Sequence, residues 1–243
     1  MREKISTLAS TIVNHSIKVE EGEKVKISCE TMEPMPLVKE LVKLINEKRA
    51  CVDVSFFDPV LRAEINKGTT DKKIELLKEM EEFEVTKFDS FIRIYCNQGD
   101  YVDSVVPEDK TKKIGDALKE YRDIRANEKK WVLLNYPSKV DSQKAKMSPE
   151  EFFDFSFDAM CYDYEQMSKD LKPLKELMEK TDKVRLTGKD TDITFSIKDI
   201  PAIPCSGECN IPDGECYTAP VKDSINGVIK YNTPSPYRGN VYH

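Results

Sequence analysis

Histidine is scarce in this sequence, which contains only His15 and the terminal His243. A serine or cysteine catalytic triad needs a histidine base, so the composition argues against that design. A catalytic zinc site also usually combines several His, Asp, Glu or Cys side chains. His15 lies at the end of an amphipathic helical pattern, which predicts a capping or surface role rather than a metal ligand.

The common phosphate-binding and esterase motifs are missing as well. No G-x-G-x-x-G, G-x-x-x-x-G-K-[ST] or G-x-S-x-G segment occurs. No apolar stretch approaches the length of a membrane span, and the first residues show no export signal, so we expect a cytoplasmic protein without membrane contact. With a net charge of −6 and interleaved Lys and Glu, the chain has no basic face for a nucleic acid.

The seven cysteines are an odd number in a chain too long to depend on disulfides. Most of them lie within apolar segments, which favours reduced, buried thiols in a cytosolic protein. Cys205, Cys209 and Cys216 lie close together in sequence, but they lack the short paired spacing of structural zinc modules. Loop and strand thiols are therefore favoured here over a zinc site.

Hydrophobic patterns alternate between strand and helix periods along the first part of the chain. The predicted strands are 24–29, 51–57, 91–95 and 131–134. The predicted helices are 1–16, 34–49, 59–66, 71–82, 107–125, 149–160 and 164–180. Strands separated by helices indicate right-handed crossovers in a mainly parallel sheet. We therefore expect a three-layer α/β domain over residues 1–180.

The pattern changes after Thr181. Short strand-like runs at 184–186, 193–197 and 228–231 are separated by loops rich in Gly, Pro and Asn. Such runs are typical of antiparallel sheets. Residues 181–243 are therefore predicted to begin a second, antiparallel β-rich domain.

The segment 210–220 carries the clearest chemical signal. Pro212-Asp213-Gly214 predicts a turn, and Glu215 follows it at the start of a short extended run. A carboxylate that the backbone holds in one direction can serve as a metal ligand. From the residues alone, a solvated acid next to a turn is the favoured interpretation.

Segment 210–220 resembles the N-x-P-x-G-E-V-F-T-A-P signature of the aminopeptidase T/S family, and 223–227 resembles the D-S-x-x-G that follows it. Upstream, Gly188–Phe195 is similar to the family's G-x-x-T-D-L-x-F. Trp131 with Tyr136-Pro137, and the segment 143–148, agree with it too. The resemblance covers essentially the whole chain and corresponds to the N-terminal two-thirds of the family.

This resemblance implies a metal-dependent aminopeptidase, a hydrolase that removes N-terminal residues from peptides. Glu215 would be the first ligand of a site for two divalent ions, Zn, Co or Mn. In such sites the metals lower the pKa of a bridging water, and a carboxylate transfers the proton to the leaving amine. The family also implies a homodimer in the intact enzyme.

The family's other ligands have no counterpart in this sequence. They are a second glutamate, a histidine in a G-T-x-H context, and an H-x-D pair. We therefore expect an incomplete piece that is inactive by itself, with the catalytic base in the missing part and catalytic residues unassigned. Cys216 and Tyr217 replace the usual Val and Phe and leave Glu215 in place.

Two other functions stay open at this point. The first is a non-catalytic α/β module that binds a small anion at the carboxyl ends of the strands. The second is a zinc-stabilised interaction domain built on the three late cysteines. Metal content distinguishes the three hypotheses. The intact aminopeptidase requires two metal ions, the anion-binding module none, and the zinc-stabilised domain one.

Overall fold

A computed structural model of the protein describes residues 2–99 and 105–231. Its contacts divide the chain into two compact units. The first comprises Met1–Tyr164 with Gly207–Asp213, and the second comprises Glu165–Ser206 with Gly214–His243. The sequence places the boundary near residue 180, whereas these contacts assign most of the helix Tyr164–Lys180 to the second unit.

Within the described residues, the first unit is built on a five-stranded parallel sheet. Its strands are β1 (Lys24–Glu30), β2 (Cys51–Phe57), β3 (Ser90–Tyr95), β4 (Lys130–Asn135) and β8 (Asn210–Ile211). They lie in the order β2-β1-β3-β4-β8, and every pairing is parallel. The four predicted strands and the parallel α/β class are confirmed, and the fifth strand was not expected from the sequence.

Helices connect the strands, largely as predicted. They are α1 (Arg2–Thr11, continued by a π-helical turn Ile12–Ser16), α2 (Met35–Glu47), α3 (Pro59–Lys67), α4 (Asp71–Lys87), α5 (Glu108–Ala117), α6 (Lys119–Glu128), α7 (Lys139–Ala145) and α8 (Pro149–Met160). The single helix predicted over 107–125 is wrong in one respect, because the chain leaves helical geometry at Leu118. The helix α7 was missed.

One face of the parallel sheet is apolar and carries the core. Val25, Ile27 and Cys29 alternate along β1 and are fully buried, since every second residue of a strand points to the same side. The helices α1, α2 and α8 cover this side, and Leu41 of α2 and Phe157 of α8 are fully buried there. The apolar faces of these amphipathic helices thus exclude solvent from this side of the sheet.

The opposite face of the sheet is polar, although it too is covered by helices. Lys26 of β1 is only 8% exposed, and its Nζ lies 2.6 Å from Asp53 Oδ2 on β2 and 3.5 Å from Glu84 Oε1 on α4. A buried ammonium is tolerated only with such partners. The strand β1 is therefore buried on both sides, as expected for the interior of a parallel sheet.

The second unit contains the helix α9 (Tyr164–Lys180) apart from its first residue, and two small antiparallel sheets. One sheet consists of β5 (Lys183–Gly188), β6 (Thr191–Ser196) and β10 (Asn226–Val228), and the other of β7 (Ile203–Cys205) and β9 (Glu215–Tyr217). The prediction of antiparallel strands late in the chain is confirmed. No helix within 2–99 or 105–231 is long and apolar enough to cross a membrane.

Candidate functional site

The first half of the signature segment belongs to the parallel sheet. Asn210 and Ile211 form β8 beside β4, with Ile211 opposite Leu134, and the N–H of Leu133 donates to the carbonyl of Cys209 at 2.9 Å. Ile211 is 2% exposed. The segment is thus attached to the edge of the sheet by backbone hydrogen bonds and by one buried side chain.

Gly207 begins this return to the sheet under a close steric constraint. Its φ is +84°, and a Cβ at this position would lie 2.8 Å from the ring of Tyr164. Its N–H donates to Asp213 Oδ2 at 2.9 Å, which closes the loop between the two residues. Burial raises the pKa of Tyr164 to about 12, so the phenol stays neutral beside this loop.

Glu215 is the predicted metal ligand, and the structure places it at the first position of β9. Its partner across the ribbon is Cys205 of β7, and its side chain is exposed. Gly214 before it has φ +141°, a region that L side chains rarely adopt, and a Cβ there would lie 3.1 Å from Met167 Cε. Glu215 therefore starts a short strand, as the sequence predicted, but the predicted turn over 212–214 is a bend at Pro212 followed by irregular backbone.

The metal-ligand geometry is incomplete in the described part of the chain. No group of three or more His, Cys, Asp or Glu side chains that could hold a metal ion occurs within residues 2–99 and 105–231. A two-metal site needs more ligands than that. The described residues therefore do not fit the metals that the family implies.

The three late cysteines do not converge. Cys205 faces Glu215 across the ribbon, whereas Cys216 faces Pro204. Adjacent register positions point to opposite faces, so Cys205 and Cys216 lie on opposite sides of the ribbon. Cys209 belongs to the first unit, and burial raises the pKa of its thiol, which disfavours the thiolate that zinc requires. These observations argue against the zinc-module hypothesis.

His15 lies in the π-helical turn after α1, and its ring stacks on Tyr164 at a centroid distance of 6.0 Å. The side chain is partly buried, so His15 is less exposed than the predicted surface role requires. The aromatic contact in the first unit gives it a packing role. His243 lies outside the described residues.

A cleft of about 750 Å³ opens at the carboxyl edge of the parallel sheet. Its volume is in the range of small-ligand sites. The charged residues that line it are Glu30, Arg62, Asp141 and Lys144, and the aromatic ones are Tyr95, Phe152 and Phe155. Pro212, at the end of β8, also contributes to the wall. All of these residues belong to the first unit.

Glu30 and Arg62 form an ion pair in the wall of this cleft, and Arg93, outside the lining, approaches the same glutamate. Arg62 Nη2 donates to Glu30 Oε1 at 3.1 Å, and Arg93 Nη2 lies 3.9 Å from the same oxygen. Both guanidinium groups lie over the ring of Phe57, at 4.2 and 4.4 Å from its centroid. Glu30 Oε2 accepts a hydrogen bond from the Cys96 N–H at 3.3 Å. The trio of two arginines and one glutamate carries a net charge of +1.

Sequence reasoning missed these cleft residues. The positions after parallel strands were expected to gather at one edge, but Arg62 and Asp141 lie on helices whose placement depends on packing. One signal was readable: Ser138 and Asp141 have the spacing of a capping box, which would have predicted α7 and placed Asp141 there.

A family model described as "Thermophilic metalloprotease (M29)" matches residues 1–243, so the chain belongs to this family. Membership implies divalent metal cofactors and peptide substrates at the level of the family.

Among solved structures, the chain is similar to wild-type AmpT from Thermus thermophilus, with a TM-score of 0.76 and 15% identity. That match covers 96% of this chain and 65% of the AmpT chain, so this chain spans about 65% of the length of the relative. At this identity the match supports the fold. A putative LacI-family repressor from Corynebacterium glutamicum gives a TM-score of 0.30 and 11% identity over 56% of this chain and 42% of its own, too low for any argument. The comparison with curated proteins finds no match.

Proposed function

We propose that the protein containing this chain is an aminopeptidase that removes N-terminal residues from peptides with two divalent metal ions. The observation that carries the proposal is the family match over 1–243 together with the signature around Glu215. The fold of AmpT, which this chain shares, is consistent with it.

Within this proposal, Glu215 is one metal ligand. Its exposed carboxylate starts the short strand β9 and follows Gly214, whose φ is +141°, so the backbone limits the directions in which it can point. The described residues hold no group of three candidate ligands, so at least part of the ligand set would come from outside them. The general base is unassigned for the same reason.

The test is to express the natural open reading frame that contains this chain and to compare it with its Glu215→Gln variant. Glutamine keeps the shape of the side chain and removes its charge. Metal content and hydrolysis of amino-acid anilides should fall together, by at least the roughly 10–100-fold typical of changes around metal ligands. The ions to supply are zinc, cobalt and manganese.

Glu176→Gln is the matched control, because Glu176 is an exposed glutamate of the same unit on α9. It should leave both quantities unchanged. Normal metal content and normal rate in Glu215→Gln would show that this residue is not a ligand. Absence of metal-dependent hydrolysis in the unmodified protein would contradict the proposed activity itself.

We also propose a cytoplasmic homodimer that takes peptide substrates and contacts neither nucleic acid nor membrane. Cys29, Cys51, Cys96, Cys161, Cys209 and Cys216 form no disulfide, which supports a reducing compartment. The dimer rests on the resemblance to the aminopeptidase T/S family. Sedimentation of the natural protein would test it, and a monomer at micromolar concentration would contradict it.

A further inference from the structure

We propose that the cleft at the carboxyl edge of the parallel sheet binds a small organic carboxylate that carries an apolar side group. The probes that fit this chemistry are a free α-amino acid and the carboxyl end of a short peptide. All residues that line the cleft belong to the first unit, whereas Glu215 belongs to the second. Only the choice of peptides as probes rests on the proposed function.

The position of the cleft follows from the strand order. The chain moves from β1 to β2 on one side and then crosses to β3 on the other. The connections after β1 and β3 therefore leave the sheet in opposite directions and open a crevice at their carboxyl ends. Glu30 ends β1 and Tyr95 ends β3, and both line the cleft.

The four charged side chains that line the cleft, Glu30, Arg62, Asp141 and Lys144, sum to zero, so the preference for an anion depends on how the two acids are held. Glu30 is 7% exposed and is already compensated by Arg62 and by the Cys96 N–H. Asp141 accepts hydrogen bonds from Asn97 Nδ2 at 2.7 Å and from the Ser138 hydroxyl at 2.8 Å. Both acids are thus engaged within the protein. Arg62 is engaged too, with Glu30, but its side chain is 43% exposed against 10% for that glutamate, so the guanidinium can accept a second, anionic partner from the cleft.

A carboxylate fits better than a phosphate. Phosphate sites on parallel sheets use uncapped helix N-termini, whose N–H groups and dipole attract the anion. Here the helix starts are already capped: Asp58 caps α3, and capping boxes of Ser138 with Asp141 and of Ser148 with Glu151 begin α7 and α8. Of these carboxylates Asp141 lines the cleft, and its charge opposes a doubly charged phosphate more strongly than a singly charged carboxylate. The planar guanidinium of Arg62 suits a carboxylate instead.

The apolar part of the ligand has its own contact surface. Phe152 and Phe155 of α8 lie 6.4 Å apart between ring centroids, and Phe155 is 62% exposed although it lines the cleft. Exposed phenylalanines at the mouth of a cavity are typical of small-molecule recognition. A side chain resting on these rings would place the adjacent carboxylate toward the cationic side of the cleft.

The test is calorimetric titration of the chain with glycyl-phenylalanine, with its carboxamide, with phenylalanine and with phenyl phosphate, all in EDTA. We expect saturable binding of the dipeptide acid. The carboxamide should bind at least about tenfold more weakly than the acid, because a charge-assisted hydrogen bond is lost. Phenylalanine tells whether the ligand is a free amino acid or a peptide. Phenyl phosphate should bind more weakly than either acid.

Variants locate the site. Arg62→Gln and Lys144→Gln should each weaken the dipeptide acid several-fold, and Phe155→Ala should weaken acid and carboxamide alike. Arg49→Gln and Lys112→Gln make the same changes at exposed positions elsewhere in the first unit and should leave binding unchanged. Arg62→Gln could fail to fold because Glu30 loses its partner. In that case the comparison of acid with carboxamide, together with the Lys144→Gln variant, still tests whether the cleft binds a carboxylate.

Equal binding of acid and carboxamide, tighter binding of phenyl phosphate, or no saturable binding up to about 10 mM would each overturn the proposal. These outcomes are independent of the aminopeptidase proposal, because no metal is present and no peptide is cleaved in EDTA. Loss of hydrolysis in the natural protein would conversely leave the binding result untouched.

Discussion

Gly207 gives the sharpest test of how the signature segment is held in place. Gly207→Ala adds a Cβ at φ +84°, a conformation that costs an L side chain about 1–2 kcal/mol. The new atom also lies 2.8 Å from the buried ring of Tyr164, and overpacking of this kind costs about 1–3 kcal/mol. We therefore expect the free energy of unfolding to fall by about 2–5 kcal/mol.

Gly22→Ala separates the two contributions. Gly22 has the same φ of +84°, but no atom lies within 4 Å of the position of its Cβ. This variant should lose only the backbone contribution, about 1–2 kcal/mol. The difference between the two variants then measures the contact with the Tyr164 ring.

The assay is urea unfolding followed by the fluorescence of Trp131, the single tryptophan of the chain, which lies on β4 of the first unit. A double variant, Tyr164→Ala with Gly207→Ala, should lose less stability than the two single changes together, by about 1–3 kcal/mol. Equal destabilisation by Gly22→Ala and Gly207→Ala would refute the steric argument. An additive double variant would refute it as well.

Two further predictions concern the thiols and the activity of the chain. Burial raises the pKa of Cys29 from 9.0 to about 12, so iodoacetamide at pH 8 should modify the exposed Cys51 and leave Cys29 intact until the chain unfolds. The Cys29 thiol ionises at a higher pH in the folded chain than in the unfolded one, so its contribution to the free energy of unfolding is complete below pH 9 and declines toward pH 12. Rapid alkaline unfolding curves of the protein and of its Cys29→Ser variant would check this. Residues 1–243 alone should release no product from amino-acid anilides with zinc, cobalt or manganese, since no group of three ligands exists in the described part of the chain, and metal-dependent release above background would contradict this.

The local pattern of the sequence determined four strands and most of the helices of the first unit. Val25, Ile27 and Cys29 alternate as the core side of a strand must, and the prolines at the starts of α2 and α3 mark where these helices begin. These signals depend only on neighbours within one or two turns. They therefore predicted four parallel strands within one or two residues of their observed bounds.

Local signals were weaker where two structures compete for the same segment. The apolar pattern over 107–125 continues through Leu118, so nothing in the periodicity marked the break between α5 and α6. Gly115, a poor helix former, lies three residues before it. A hydrogen bond from Arg122 Nη2 to the Gly115 carbonyl at 2.7 Å stabilises the interrupted geometry.

The candidate site shows the same division. The sequence alone predicted that an extended run begins at Glu215, because Pro-Asp-Gly and the signature residues are contiguous in the chain, and β9 begins there. The role of Glu215 as a metal ligand stays a prediction. Only the tertiary structure decided that Asn210 and Ile211 return to the edge of the parallel sheet, since two residues have no periodicity and their pairing with Leu133 and Leu134 is long-range. The cleft had to wait for the structure for the same reason: Glu30, Arg62 and Asp141 meet there from distant parts of the chain, through packing that no local pattern encodes.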